Sequence, residues 1–459
     1  MSAFDSRTIT IADAATLLRS GRLTARELTE GCLERIDRDN PRLNAFITVT
    51  AEGARAQADQ ADREFRAGRD RGPLHGIPLS IKDLIDIEGL PTTAASRVRD
   101  GHIARRDAPI IANLRGAGAV IVGKTNLHEF AMGTTNEESA FGPVLHPRDE
   151  TRSPGGSSGG SAVSVATGMC LATVGSDTGG SIRIPSAVCG LVGLKPAWDD
   201  LSCDGVVPLG RSLDCVGPLA RSVEDARIVY ASMAGHSQLA DLPVKRKPRF
   251  GALQGYFLEK LQAEVRARYD AALARLRAEA SAIEPIEIRH ARFAPSIYFP
   301  TVLAEGAEYH ARTLEQMPDA YTPGVRARFE LGRYVLAEDY LRAQRGRDRL
   351  RAEISAALDS CDALLLPTLP LVAPPLGASA VPMDDGREEP VRGAMLRLTQ
   401  PFNLTGHPAI SLPIPLGNKL AAPDVEMTGL PVGLQIVALD LPNLLAAARW
   451  CEQILQRTR

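Results

Sequence analysis

The chain has 459 residues, 44% of them hydrophobic, with 53 basic against 55 acidic side chains for a formal net charge of -2. A chain of that length buries a large core without staples, and its balanced charge argues against nucleic acid or an anionic membrane as the main partner, leaving a small-molecule or peptide-like ligand. Seven scattered cysteines without a C-x-x-C pair argue against a disulfide framework or zinc knuckle, and neither residues 1–10 nor any later apolar run looks like a leader or a membrane span, so a soluble cytoplasmic protein is expected.

The segment up to about residue 70 reads as helical: Thr24 and Glu27 form a capping-box signature ahead of Leu28, Cys32, Leu33 and Ile36 at helical spacing. From His75 the chain turns to short β-like runs at 77–81, 119–122 and 171–174, with helix-like pieces such as 110–114 between them. Strands alternating with helices predict an α/β layered fold. Residues 258–358 carry helical periodicity and read as an insertion or cap, before strand-like runs resume at 363–367 and 409–413. Residues 441–455 predict an amphipathic closing helix, and the proline-rich piece 367–375 a loop.

Two clusters carry the chemistry: Pro154-Gly155-Gly156-Ser157-Ser158-Gly159-Gly160-Ser161 and Asp177-Thr178-Gly179-Gly180-Ser181-Ile182-Arg183. Flexible loops are a weak explanation, because each cluster leads directly into a helix-like segment. A phosphate cradle fits neither glycine spacing. Gly155 to Gly159 match the G-x-S-x-G elbow of α/β-hydrolases, but the charged, proline-bounded stretch 146–154 before them cannot be the strand that motif needs. Residues 171–174, by contrast, deliver the chain into Ser181 at a helix start, so Ser181 is the better nucleophile, its hydroxyl expected to face the surface of the loop. The unpaired N–H groups of Thr178, Gly179, Gly180 and Ser181 suit the oxyanion of a tetrahedral intermediate.

A serine hydroxyl needs a base, and no histidine is near in sequence. Lys82 is the candidate: only seven of the 53 basic residues are lysines, at 82, 124, 195, 245, 247, 260 and 419, so this chain prefers arginine for solvated charge. A lysine ending an apolar run is a candidate for burial, which depresses its pKa toward a value useful for a base. A plain ion pair with Asp83 or Asp86 stays open beside that reading, and these two carboxylates are expected to support the lysine strand. His128-Glu129 starts like a zincin helix, but Met132 stands where the second histidine is required, so no metal is expected.

The stretches 154–166, 175–183 and 189–196, with 76–83, 123–126, 403–406 and 429–435, resemble the amidase signature family over nearly the whole chain. The resemblance implies a single domain over 1–459, made of N-terminal helices to about residue 70, a signature core of about 71–235, a helical cap of about 258–358 that shapes the pocket, and a C-terminal completion of about 360–459. It implies a mixed central β-sheet flanked by α-helices on both faces. It also implies a Ser-cisSer-Lys triad of Ser181, Ser157 and Lys82 that passes through an acyl-enzyme, with Ser158, Asp177 and Arg183 as supports and no cofactor or metal.

Stand-alone amidases and the glutaminase (GatA-type) component of the glutamyl-tRNA(Gln) amidotransferase share that chemistry. That component usually carries an Asp shortly before its Asn-Leu-Ala-Gly segment, and residues 395–403 here offer no acidic residue, whereas 131–142 and Arg328 resemble the amidotransferase. His146, where Asn is usual, and Ala197-Trp198-Asp199 depart from both. The reading favours a hydrolase of a small-molecule amide, with a homodimer left open, no membrane, no direct nucleic-acid contact, and partner subunits only under the amidotransferase alternative. A non-catalytic binding protein is disfavoured because the three triad residues are present.

Overall fold

A computed structural model describes residues 4–236, 247–415 and 427–457; Lys245, Lys419 and the first three residues lie outside them. The capping box forms as the sequence predicts, Thr24 and Glu27 bonding reciprocally at the start of helix Ala25–Leu43, whose Leu28, Cys32, Leu33 and Ile36 are buried.

The strands are β1 Phe46–Val49, β2 Pro78–Lys82, β3 Val120–Thr125, β4 Ala172–Asp177, β5 Val192–Lys195, β6 Cys215–Ala220, β7 Arg249–Leu253, β8 Ala282–Ile286, β9 Ala363–Pro367, β10 Ala380–Pro382, β11 Glu388–Pro390, β12 Ala409–Ile414 and β13 Val432–Val437. Eleven form one mixed sheet in the order β1-β3-β2-β4-β6-β5-β12-β13-β9-β7-β8, while β10 and β11 pair as a small ribbon. Helices cover both faces of the sheet, the α/β architecture of the sequence reading. β2 lies between β3 and β4 and runs parallel to both, with every residue of β2 and β4 buried. Parallel neighbours need crossovers, and helices Pro109–Gly116 and Gly159–Ala166 supply helical segments in them. The carboxyl ends of β2 and β4 therefore open on the same side, where ligands bind in open α/β sheets.

The stretch 258–358 divides in two. Helix Ala263–Arg277 joins β7 to β8 and packs on the sheet, so that part is a strand-adding unit. Helices Ala294–Gln316, Pro323–Gly332 and Ala337–Leu358 pack on one another. Of the strands that the apolar runs did not reveal, β1 and β5 are four residues long and β8 is an edge strand whose residues are partly exposed, while β6, β7 and β13 lie inside the sheet. All seven cysteines are free, five of them buried. Among the described residues no helix is long and apolar enough to cross a membrane.

Candidate active site

Lys82 is the last residue of β2 and its side chain is fully buried. Its Nζ donates to Ser157 Oγ at 2.7 Å and to Ser176 Oγ at 2.9 Å. Burial pushes its pKa down to about 7, against the pull of Asp177 and Asp214. Neither Asp83 nor Asp86 pairs with it. Asp83 instead faces Lys124 of β3, 2.9 Å away and equally buried, and accepts from the Thr93 backbone at 3.1 Å. The third buried lysine, Lys195, donates to the carbonyl of Pro196 at 2.8 Å. Of the described buried lysines only Lys82 meets serine hydroxyls, a distinction that composition could not draw.

Ser157 and Ser158 sit in the loop before helix Gly159–Ala166, and the Gly156–Ser157 peptide bond is cis. The His128 amide donates to the Ser157 carbonyl at 3.1 Å, tying the 128–138 loop to this turn. The Ser158 amide donates to the Ser181 carbonyl at 3.3 Å, which brings the two glycine-lined turns together, and Ser158 Oγ reaches the Ser176 carbonyl at 3.3 Å.

Ser181 follows β4 and precedes helix Arg183–Cys189, the strand-to-helix placement expected from sequence. It does not face open surface: it is 6% exposed. The turn is covered closely, since a Cβ on Gly179 would stand 2.3 Å from Tyr298 Oη and one on Gly180, at φ +144°, 2.3 Å from Thr399 Oγ1. Only glycine admits that contact. Among the described residues the N–H groups of Gly179, Gly180 and Ser181 have no acceptor, so they remain available to a ligand oxygen.

Beneath the turn, Asp177 and Arg183 form a fully buried ion pair at 2.9 Å. Arg183 also donates to Gln435 Oε1 and Asn403 Oδ1, each at 2.6 Å, and to the Thr399 carbonyl at 3.0 Å, while Asn403 Nδ2 donates to Asp177 Oδ1 at 2.8 Å. Burial works against the Asp177 charge, but Arg183 and Asn403 outweigh it and hold its pKa at about 2. Thr178 Oγ1 donates to Asp214 at 2.6 Å, and burial lifts the Asp214 carboxyl to about 6.

Sequence reasoning about chemistry passed over Ser176, Thr399, Asp214 and Tyr298. Ser176 is the one a local signal could have found, being a hydroxyl on a buried strand two residues before the Thr178 turn. His128 and Glu129 hold a 3-10 turn, where His128 contacts Glu138 at 3.1 Å. Among the described residues no group of three His, Cys, Asp or Glu side chains stands close enough to hold a metal.

A buried amine with a pKa near 7, hydrogen-bonded to Ser157 and Ser176 and next to the turn of free N–H groups that carries Ser181, suits nucleophilic attack on a carbonyl. Comparison with known proteins identifies the family. The Amidase family profile matches residues 27–442. The GatA-type component of the glutamyl-tRNA(Gln) amidotransferase of Roseiflexus sp. (strain RS-1) is 38% identical, covering 95% of this chain and 94% of its own. A crystal structure described as an amidase superposes with a TM-score of 0.90 at 38% identity, covering 97% of this chain and all of that one. The corresponding amidotransferase component of Thermotoga maritima gives 0.79 at 30% identity, covering 100% of this chain and 97% of that one. On these grounds the chain belongs to the amidase family, enzymes that act on the carbon–nitrogen bond of amides.

Proposed function

We propose that this chain hydrolyses an amide to a carboxylate and ammonia or an amine through an acyl-enzyme on Ser181. The observation that carries the reading is Lys82: a fully buried amine with hydroxyl partners and a pKa near 7, a base at neutral pH. Lys82 takes the proton of Ser157 as Ser157 takes that of Ser181, and Ser181 Oγ attacks the carbonyl carbon. The oxyanion faces the N–H groups of the 178–181 turn, which Asp177 and Arg183 hold from below. Collapse breaks the C–N bond, the proton returning through Ser157 to the leaving nitrogen. Water then attacks the Ser181 ester by the same relay, releasing the carboxylate and restoring the hydroxyl. Cytoplasmic location and the division of a single domain into N-terminal helices, core, cap and C-terminal completion belong to the same reading.

The test is labelling with a fluorophosphonate: the adduct should map to Ser181 and form far more slowly in Lys82→Ala. An unmodified Ser181 would favour a non-catalytic binding protein, and equal labelling in Lys82→Ala would remove the lysine from the chemistry.

A second reading, the glutaminase component of a tRNA-dependent amidotransferase, is favoured over the stand-alone hydrolase by the full-length match, at 38% identity, to such a component. It would need partner subunits, and the exposed Phe293, Leu331, Tyr334, Leu336 and Leu341 give the helical region an apolar surface suited to one. One observation supports the stand-alone hydrolase instead: residues 395–403 bring no carboxylate toward the turn. Ammonia release from glutamine, measured with and without the amidotransferase partner subunits, separates the two. Release that depends on the partners supports the amidotransferase, whereas partner-independent turnover of primary amides or anilides supports the hydrolase. Oligomeric state, including a homodimer, is read in the same preparations by light scattering.

A further inference from the structure

Arg392 is a cation beside this site that makes no ion pair among the described residues. It lies in the first turn of helix Val391–Arg397, whose Leu396 reaches within 2.9 Å of the Cβ position at Gly179 in the Ser181 turn. Residues four apart share a helix face, so Arg392 stands one turn, about 6 Å along the axis, from that contact. On its other side Arg392 Nη2 is 3.4 Å from Met132 Sδ, in the loop whose His128 amide holds the Ser157 carbonyl. Its guanidinium carbon lies 5.6 Å from the ring centroid of Phe299, next to the Tyr298 that covers Gly179. Arg392 thus sits between the Ser181 turn and the loop behind Ser157.

The charges here do not cancel. Glu138 is taken by Arg328 and by His128 at 3.1 Å, and these two hold its pKa at about 2 against burial. Arg328 also donates to the Met132 carbonyl at 3.3 Å. Arg392 has no ion pair among the described residues, and its Nε is buried without an acceptor. Burial and the neighbouring Arg328 lower its pKa to about 10, so it is charged at neutral pH. A shielded guanidinium with an unused donor beside a neutral sulfur favours an anion with two oxygens in one plane.

We infer that Arg392 is a specificity-determining residue that docks a carboxylate on the substrate, making the preferred substrates amides that carry a second, anionic group a few bonds from the scissile carbonyl. The inference rests on the acyl-enzyme reading and names its substrate class. Among the described residues the nearby carboxylates of Glu138, Asp177 and Asp214 have partners of their own and are not free to pair with an ammonium beside that carboxylate, so the monoamide of a linear dicarboxylic acid fits better than a zwitterionic amino-acid amide.

Binding and turnover are measured separately to test it. In the Ser181→Ala full-length protein, calorimetry compares glutaramate with neutral glutaramide; glutaramate should bind about tenfold to a hundredfold more tightly, and adding Arg392→Gln should remove that margin. Arg392→Lys keeps the charge without the fork and should retain part of it, which distinguishes lost docking from lost folding. In the enzyme with Ser181 intact, the ratio of kcat/KM for the two amides should follow the same margin, mostly through KM, and collapse toward one in Arg392→Gln. Equal binding of the two amides, or a preference that survives Arg392→Gln, would overturn the role of Arg392. Selective binding without turnover of either amide would leave Arg392 standing and refute the acyl-enzyme reading instead.

Discussion

Lys82 and Lys124 end up buried on adjacent parallel strands, and what faces them makes them different groups. Lys124 meets the Asp83 carboxylate at 2.9 Å together with the Pro91 carbonyl, a closed arrangement in which both charges are satisfied. Lys82 meets only the hydroxyls of Ser157 and Ser176, which accept from an ammonium and equally donate to an amine. Burial lowers the pKa of both, but the adjacent carboxylate opposes it directly at Lys124, while the acids acting on Lys82 have hydrogen-bond partners of their own. Burial alone therefore does not make a lysine a base; the absence of a carboxylate in its first contacts does.

The largest effects should separate the two by kind. Ser181→Ala should lower kcat by about four orders of magnitude or more, and Lys82→Ala by about three or more, with the folded state kept in each, as seen by steady-state kinetics beside circular dichroism. Lys124→Met leaves Asp83 buried without its cation and should cost about 3–5 kcal/mol of stability, read from urea unfolding. If Lys82→Ala instead unfolds the protein while Lys124→Met loses only activity, the comparison is reversed.

Smaller effects sharpen it. The folded-state pKa of Lys82 lies near 7, below its unfolded value of 10.5, so between those two values the unfolded chain binds more protons and stability rises with pH. From pH 7 to 9 this group should contribute about 2 kcal/mol, a gain that unfolding midpoints should show missing in Lys82→Met. Ser176→Ala removes one acceptor of the ammonium form and should reduce kcat/KM by about threefold to tenfold, through a loss of about 1 kcal/mol. An unchanged rate in Ser176→Ala would confine the essential contacts of Lys82 to Ser157.

Much of this was legible in the sequence where the signal is local. The run ending at Lys82, the strand leading to Ser181 and the capping box at Thr24 each declare themselves within a few residues, and each forms. The alternatives left open for Asp83 could not be decided, because its true partner, Lys124, is set by the pairing of two strands separated in sequence. The network under the turn is non-local for the same reason: Arg183 reaches Asn403 and Gln435, more than two hundred residues on, and no periodicity joins them. The expectation of a surface-facing Ser181 failed because glycine-rich turns usually lie outside, whereas here Tyr298 and Leu396, from distant helices, close over Gly179.

The most direct test is the pH dependence of the rate at which a fluorophosphonate modifies Ser181. The account predicts a rate that rises tenfold per pH unit below about 7, levels off above it, and loses this step in Lys82→Ala. A rate flat from pH 5 to 9, or the same step persisting without Lys82, would contradict it.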